Sequence, residues 1–457
     1  LILASVSISM LTGDNGILTR AGDAKIETAV GAVKEQIGLY QIEKKMDNKE
    51  VTPENLLAEG KVSRTVQAGD ADKYYMYYAL KENSFEGMQG LGKGNIASLK
   101  DVFLIDDNLN VKYIASNGKE YGDNLNNKVL EDETEIRFSS KAFSEYVSKI
   151  SGVTEDEMKF KWMKNQTSLT IADPNVNSLQ DLVFFPNLEK IIIQDLKIKT
   201  IEGIENCSKL HTITLIGTNI KNFMQLSNLN ELTYIELRYG DNNVKDFIMN
   251  IKKLPILKTL SLNYAGGEYD YKIIKELPIS LINLTIRGAK NKIDKVEGIE
   301  RLTNLTELRV DNNEINTITG IEKLKYLKIL DLSNNQIVDI TPLKDNISLA
   351  ELNLKGNSKI DGNRNNYTGE RLMALNKIGE ILDRKGNIYL DVDKLGLFTN
   401  YKKLDLSNQN LTTLEPLEGL TELTSLVLTK NQLTLEDEKS QKILKNMTKL
   451  EILDLRK

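Results

Sequence analysis

The chain of 457 residues contains one cysteine, Cys207, one histidine, His211, and one tryptophan, Trp162. A single cysteine excludes an internal disulfide framework. With one cysteine and one histidine, no cluster of zinc ligands can be assembled. A lone histidine on the edge of a repeat cannot organise a Ser/His/Asp arrangement, and His211 reads as surface. Cys207 occupies a position that is apolar elsewhere (Leu324 is its equivalent), so a buried structural thiol is expected rather than a nucleophile. The acidic pairs Asp106-Asp107 and Asp391-Val-Asp393 lack the ligand spacing of a calcium loop. No cofactor is implied. The formal net charge is −5, with acids and bases mixed along the chain. Without a basic stripe, nucleic acid is a poor partner. Long apolar runs are also scarce. Leu1–Leu11 is uncharged but falls short of the roughly 20 residues that span a bilayer, and reads as the end of a longer apolar stretch.

What the chain has in quantity is a period. Leu188, Leu210 and Leu232 stand 22 apart, as do Leu305, Leu327 and Leu349. Each opens the pattern apolar, two free, apolar, one free, apolar, two free, Asn. The cleanest copy is Leu327-Lys-Ile-Leu330-Asp-Leu332-Ser-Asn-Asn335-Gln-Ile337. This spacing and lettering is the signature of a leucine-rich repeat solenoid. A copy beginning at Leu450 stops after Leu455, before its Asn position, and no polar cap follows. With Leu1 in place of Met, this reads as a fragment of a longer protein.

Four segments are expected: 1–48 a helix, 49–130 a small β-rich domain, 131–168 a helical cap, and 169–457 the repeats. Ala29, Val33, Ile37 and Ile42 fall near helical spacing up to Lys45, after a turn at Gly13–Gly16. Leu1 to Thr19, followed by an Ala- and Lys-rich helix, resembles the amino terminus of type IV prepilin-like proteins of Gram-positive anaerobes. The resemblance implies a membrane anchor through the amino-terminal helix and possible pilin-like subunits as partners. The family's cleavage site would lie upstream of Leu1. Strands are expected at Lys73–Tyr78, Asp101–Ile105 and Asn108–Ile114, with hairpin chemistry at Asn117-Gly118. Asp101–Gly122 is similar to the carboxy-terminal part of the same proteins. Gly87-Met-Gln-Gly-Leu-Gly92-Lys93 matches a phosphate-binding loop except at its last position, where Gly94 replaces the Ser or Thr that would reach Mg²⁺. An inter-strand loop is the better reading.

Phe143, Tyr146, Val147 and Ile150 share a helical face, and Thr154 with Glu157 reads as a capping box of a second short helix. Such a cap would cover the apolar edge of the first repeat, with Trp162 packed there. Coils follow from Leu169, Leu188, Leu210, Leu232, Leu257, Leu281, Leu305, Leu327, Leu349, Tyr401, Leu423 and Leu450. In each, alternation along a short strand sends the apolar pair inward and the intervening residue outward. Successive strands are expected to form one curved parallel sheet with an irregular or helical second side, an α/β solenoid. Asn313, Asn335, Asn357 and Asn431 are expected to bond backbone groups of their own and the next coil.

The Asn position is lost at Leu196, Thr218, Gly240, Ala265 and Ala289, and the spacing stretches to 25 and 24 residues after Leu232 and Leu257. Helices are expected on the convex side at Val244–Leu254 and Tyr271–Leu277. A further helix is expected at Glu370–Arg384, with an extra strand from Asn387. Curvature is expected to change around both regions.

The 22-residue length, the Ile-x-x-Ile-x-x-Leu-x-x-Leu convex side, the bends at Gly203, Gly298, Gly320, Pro342 and Pro416, and the preceding helical cap resemble bacterial internalins and related surface proteins. That resemblance covers roughly residues 141–457. It implies a cell-surface, non-catalytic protein that binds a protein or glycan ligand.

The register names the outward residues of the concave face: Tyr234, Glu236 and Arg238 with Tyr239, then Tyr264, Arg287, Arg309 and Asp311. Thr259, Ser261, Asn263, Thr285 and Glu307 frame them, and Ile192 and Ile216 add apolar area. Tyr and Arg are the types enriched at binding hot spots. Asp331, Ser333, Asn353, Asp405 and Ser407 read as solvated surface. The alternative is a structural minor pilin or pseudopilin subunit in which the repeats are a spacer.

Overall fold

The strand-forming triplets of successive repeats pair in chain order. The structure, a computed structural model, describes residues 17–69, 73–357 and 403–456, apart from 87, 89, 93, 95, 97, 98, 127, 267, 268, 289–292, 341, 344, 345, 347, 350, 355 and 408–410. The apolar run Leu1–Leu11, the helix expected at Glu370–Arg384 and the strand expected from Asn387 lie outside the described residues. The chain divides into two compact units, Leu1–Thr212 with Phe223–Glu231, and Ile213–Asn222 with Leu232–Lys457.

The first unit begins with the helix Ile17–Met46. Its buried stripe is Ala29, Val30, Val33 and Ile37. Ile42, expected on that stripe, is 61% exposed. Five residues past Ile37 it is turned by about 140° from it at 100° per residue. Tyr40, three residues on, is the ring that packs instead, edge-on to Phe85 at 5.9 Å. Among the described residues no helix is long and apolar enough to cross a membrane.

A sheet of six strands follows: β1 Val62–Ala68, β2 Tyr74–Leu80, β3 Val102–Ile105, β4 Val111–Ile114, β5 Glu120–Gly122 and β6 Lys128–Leu130. Its order is β1-β2-β3-β4-β5, with β6 against β2, and its pairs are antiparallel. Residues 87–94 lie in the connection from β2 to β3. The long helix packs on β4 and β5. Gly122 is left-handed at φ +97°, and a Cβ there would lie 2.4 Å from the Val111 carbonyl oxygen and 3.0 Å from Val30 Cγ1. Asp106 closes the β3–β4 turn. It accepts from the amides of Asn108, Asn110 and Asn126 at 2.9–3.0 Å. Burial works against ionisation of this carboxyl, but those bonds outweigh it and hold its pKa below the usual range.

The helix Lys141–Ser151 is capped by Ser140, whose hydroxyl accepts from the Phe143 amide, and ends at left-handed Gly152. It buries Phe143, Tyr146 and Val147, whereas Ile150, expected with them, is exposed in the last turn beside that cap. The expected capping box does not form. Thr154 precedes only a 3-10 turn, Glu155–Glu157, and its hydroxyl donates to the Glu157 carboxylate at 2.9 Å instead of capping an amide. A short helix, Phe160–Lys164, follows. Trp162 meets Phe185 edge-on at 6.2 Å, and Phe143 meets the same ring at 6.1 Å. The six-stranded sheet joins this aromatic cluster through Arg64, whose guanidinium lies 5.6 Å over the Phe184 ring, and through Tyr74, edge-on to Phe160 at 5.3 Å.

The repeat strands are β7 Ser168–Ile171, β8 Lys190–Gln194, β9 Thr212–Ile216, β10 Tyr234–Arg238, β11 Thr259–Asn263, β12 Asn283–Arg287, β13 Glu307–Arg309, β14 Ile329–Asp331 and β15 Glu351–Asn353. They form one parallel sheet of nine strands in chain order. A further three-stranded parallel sheet contains β16 Lys403–Asp405, β17 Ser425–Val427 and β18 Ile452–Asp454.

Within the second unit the inward positions stack in register. Ile235, Leu260, Leu284, Leu308, Leu330 and Leu352 form one buried column. Each such side chain contributes roughly 1.5–3 kcal/mol when fully buried. The other side of these coils carries the helix Val244–Ile251, with Asn243 accepting from the Asp246 amide as its cap. The helix expected at Tyr271–Leu277 is a 3-10 helix, Tyr271–Glu276.

The repeat asparagines bond their own coil and the preceding one, not the next one as expected. Asn335 donates to Val310 O at 3.0 Å and Leu332 O at 2.9 Å, and accepts from the Ile315 amide at 3.0 Å. Asn357 makes the same set with Leu332, Leu354 and Ile337. The side chain sits at the turn leaving the strand and therefore reaches back over the turn already made. In the coil where Gly240 stands at the Asn position, Asn242 takes over the acceptor role and donates to the next coil. It is fully buried, accepts from the Ile220 amide at 2.9 Å and the Thr218 hydroxyl at 3.0 Å, and donates to Ala265 O at 3.2 Å.

Candidate functional site

The outward register of β10–β13 brings the site residues together within the second unit. Tyr234, Glu236 and Arg238 align with Thr259, Ser261 and Asn263, and these with Asn283, Thr285 and Arg287. Thr285 in turn aligns with Arg309. Parallel neighbours lie about 4.8 Å apart, so four coils build one continuous surface.

Two of the expected contact residues are not accessible. Glu236 is 4% exposed and Asp311 5%. Pattern alone assigns them to the outer face, but longer neighbours close over them. Glu236 accepts from Arg238 Nε at 3.1 Å and Nη2 at 2.8 Å, from the Tyr234 hydroxyl at 3.2 Å and from Asn263 Nδ2 at 3.1 Å. Burial first, and the Glu236 carboxylate second, push the Tyr234 phenol up. Asp311 receives Arg287 Nε at 2.6 Å. Arg309 is held by Glu307, with Asp331 at 3.9 Å. The arginines are therefore fixed by carboxylates before any partner arrives, and the patch presents paired charge. Asp331 and Ser333, expected as solvated surface, are buried, with the Ser333 hydroxyl and amide both donating to Asp331 at 2.6 and 3.0 Å. Ile192 and Ile216 are half-buried.

The exposed members are Tyr239 and Tyr264, at 59% and 45%. Their rings stack with centroids 6.1 Å apart and planes 15° from parallel. Both follow directly on the last residue of a strand, and both are left-handed, at φ +48° and +51°. Among the described residues the same position is also left-handed at Asp195, Gly217, Gly288, Asn312, Asn334, Gly356 and Lys430. Left-handed backbone costs an ordinary residue roughly 1–2 kcal/mol, which Gly avoids and Asn reduces. The Tyr264 ring lies over Gly288, where a Cβ would approach it to 2.0 Å.

Sequence reasoning missed a second recurrent feature. In the Gly-Ile-Glu triplets, Glu205, Glu300 and Glu322 accept from the amides of Gly203, Gly298 and Gly320 at 2.8–2.9 Å. These glycines are the left-handed bends before the 3-10 turns. The triplet repeats in the sequence and would have signalled the bond. Glu205 differs from the others in being buried, and burial raises its pKa to about 7. Cys207 is fully buried, with Sγ 3.7 Å from Leu182 O, and burial pushes its thiol up. His211 is exposed. Among the described residues no group of three or more His, Cys, Asp or Glu side chains is placed to hold a metal.

No family model matches the chain, and no curated protein does. Solved structures do. The internalin InlF of Listeria monocytogenes is 20% identical over 70% of this chain and 96% of its own, with a TM-score of 0.44. The functional domain of InlJ, from the same organism, is 19% identical over 70% of this chain and 60% of its own, with a TM-score of 0.40. A leucine-rich repeat protein of Leptospira interrogans is 20% identical over 63% of this chain and 69% of its own, at 0.38.

Proposed function

We propose that this protein is a non-catalytic recognition protein of the cell surface, binding a protein or glycan through the concave face of its repeat sheet. The observation that carries the reading is the convergence of Tyr234, Arg238, Tyr239, Tyr264, Arg287 and Arg309 from four adjacent coils. Buried Glu236 and Asp311 orient this surface from beneath. Side chains ordered before binding lose less entropy on association. The amino-terminal segment would hold the protein at the membrane, and its partners there would be pilin-like subunits.

The test is a screen of the purified chain against arrays of recombinant extracellular protein domains and of glycans. Any hit is then titrated with Tyr234→Ala/Arg238→Ala/Tyr264→Ala. We expect affinity to fall by at least about thirtyfold, the scale of hot-spot residues. A folded triple variant with undiminished binding would sink the reading.

A further inference from the structure

We propose that Tyr239 and Tyr264 are the anchor of this face and that its partner is a polypeptide bound in extended form. The inference rests on the recognition reading above and narrows it.

Among the described residues, the left-handed position after a strand is filled elsewhere in the unit by Gly, Asn or Lys. Two consecutive coils place the largest side chains there. Strain of this kind persists where function requires it. The rings cover little of the core, since about half of each is open to solvent. What they gain in the folded state is each other, the stacking that fixes both rings in one orientation.

That orientation selects the ligand. Tyr239 turns one face to Tyr264, and Tyr264 turns its other face to Gly288. Three of the four ring faces are thus taken up by the protein, which disfavours a glycan that stacks on open aromatic faces. One face of Tyr239, the ring edges and the phenolic hydroxyls remain. Arg238 and Arg287 beside them are paired with Glu236 and Asp311, so neither guanidinium is an unpaired cation for an anionic ligand. Edges, hydroxyls and pre-ordered guanidinium groups suit backbone carbonyls and apolar side chains. An extended chain repeats its same-side residues every ~6.8 Å. The ring centroids stand 6.1 Å apart. Residues i and i+2 of a strand lying across the coils would therefore meet the two rings in turn.

The experiment selects random twelve-residue peptides, displayed on phage, against the full chain. Enriched peptides are synthesised and titrated against wild type and against Tyr239→Asn/Tyr264→Asn. Asn is the residue that two other coils use at this position. We expect the double variant to melt at or a few degrees above wild type, because the strain is relieved. We expect it to lose peptide affinity at least about thirtyfold. A variant that melts well below wild type would make the tyrosines structural and overturn the inference. So would peptides that bind it unchanged, a selection without enrichment, or binding confined to neutral glycans on an array. Peptides that lose affinity with Tyr234→Ala/Arg309→Ala but not with the Asn pair would overturn the anchor while leaving the wider face intact.

Discussion

Asn242 Oδ1 accepts the Ile220 amide at 2.9 Å, the bond that Asn335 makes to the Ile315 amide at 3.0 Å. The two asparagines share this acceptor role from different places in the repeat, since Asn242 stands two residues beyond the consensus position occupied by Gly240. Their donors differ, Asn335 bonding its own and the preceding coil and Asn242 the Ala265 carbonyl of the next. Replacing Asn242 by Ala would strand the Thr218 hydroxyl and the Ile220 amide away from water, while the Ala265 carbonyl keeps the backbone amide of residue 242 at 3.1 Å. We expect Asn242→Ala to lose roughly 2–3 kcal/mol of stability, measured by equilibrium urea unfolding. A loss as small as that of an exposed asparagine would show that Asn242 is not the substitute ladder residue.

Glu205 makes stability depend on pH. Its pKa rises to about 7 in the folded chain from an ordinary 4.5, through burial, with Glu202 adding to the rise and Lys81 and the Gly203 amide opposing it. The folded state therefore holds this proton more tightly than the unfolded one. The contribution is complete below pH 4.5 and is lost as pH rises through about 7. Glu205→Gln keeps an acceptor for Gly203 and removes the titration. We expect the variant to match wild type at pH 4.5 and to exceed it at pH 8 by on the order of 2–3 kcal/mol. Parallel urea curves at the two pH values would test this, and an equal gap at both would contradict it.

Glu236 and Arg238 are unequal partners. The carboxylate is buried and collects donors from Tyr234, Arg238 and Asn263, whereas the guanidinium is partly solvated. Loss of the arginine leaves the carboxylate the donors of Tyr234, Asn263 and Ser261. Loss of the carboxylate takes this acceptor from Tyr234, Arg238, Ser261 and Asn263, of which Asn263 keeps the Ser261 hydroxyl at 2.9 Å. We expect Glu236→Ala to cost about 2 kcal/mol and Arg238→Ala less than about 1 kcal/mol. Urea unfolding of both variants gives the comparison, and equal costs would refute the hub role.

Asp181 ties the segment before the helix Lys141–Ser151 to the first coils. It accepts from the Ser139 amide and hydroxyl and the Ser140 amide, each at 2.8 Å, with Arg64 at 3.8 Å. Burial raises its pKa, and these same bonds oppose the rise. Asp181→Ala should destabilise the chain by about 2 kcal/mol, because the Ser139 amide and hydroxyl and the Ser140 amide lose their shared acceptor. Asp181→Asn should lose less, since its Oδ1 retains one acceptor. Thermal unfolding of the two variants would show whether that order holds.

Much of the repeat architecture was legible because a solenoid is nearly one-dimensional. Each coil packs on its neighbours, so a 22-residue period in leucine specifies strand position, inward column and outward register without any long-range information. Residues such as Leu308 and Leu330 follow from spacing alone. Helical periodicity placed Val33 and Ile37 inside by the same local logic. Alternation also names which residues leave the sheet plane outward. It does not say which of them stay uncovered. Glu236 and Asp311 became buried because Tyr234, Arg238 and Arg287 fold over them, an outcome of side-chain reach across coils. Asn242 could not be read as a ladder residue, because in this 25-residue coil it stands two residues past the consensus position. The pairing of Tyr239 with Tyr264, 25 residues apart, arises only when two left-handed turns are stacked one above the other. Local pattern determined the register of this protein; contacts between coils decided which residues of that register face a partner.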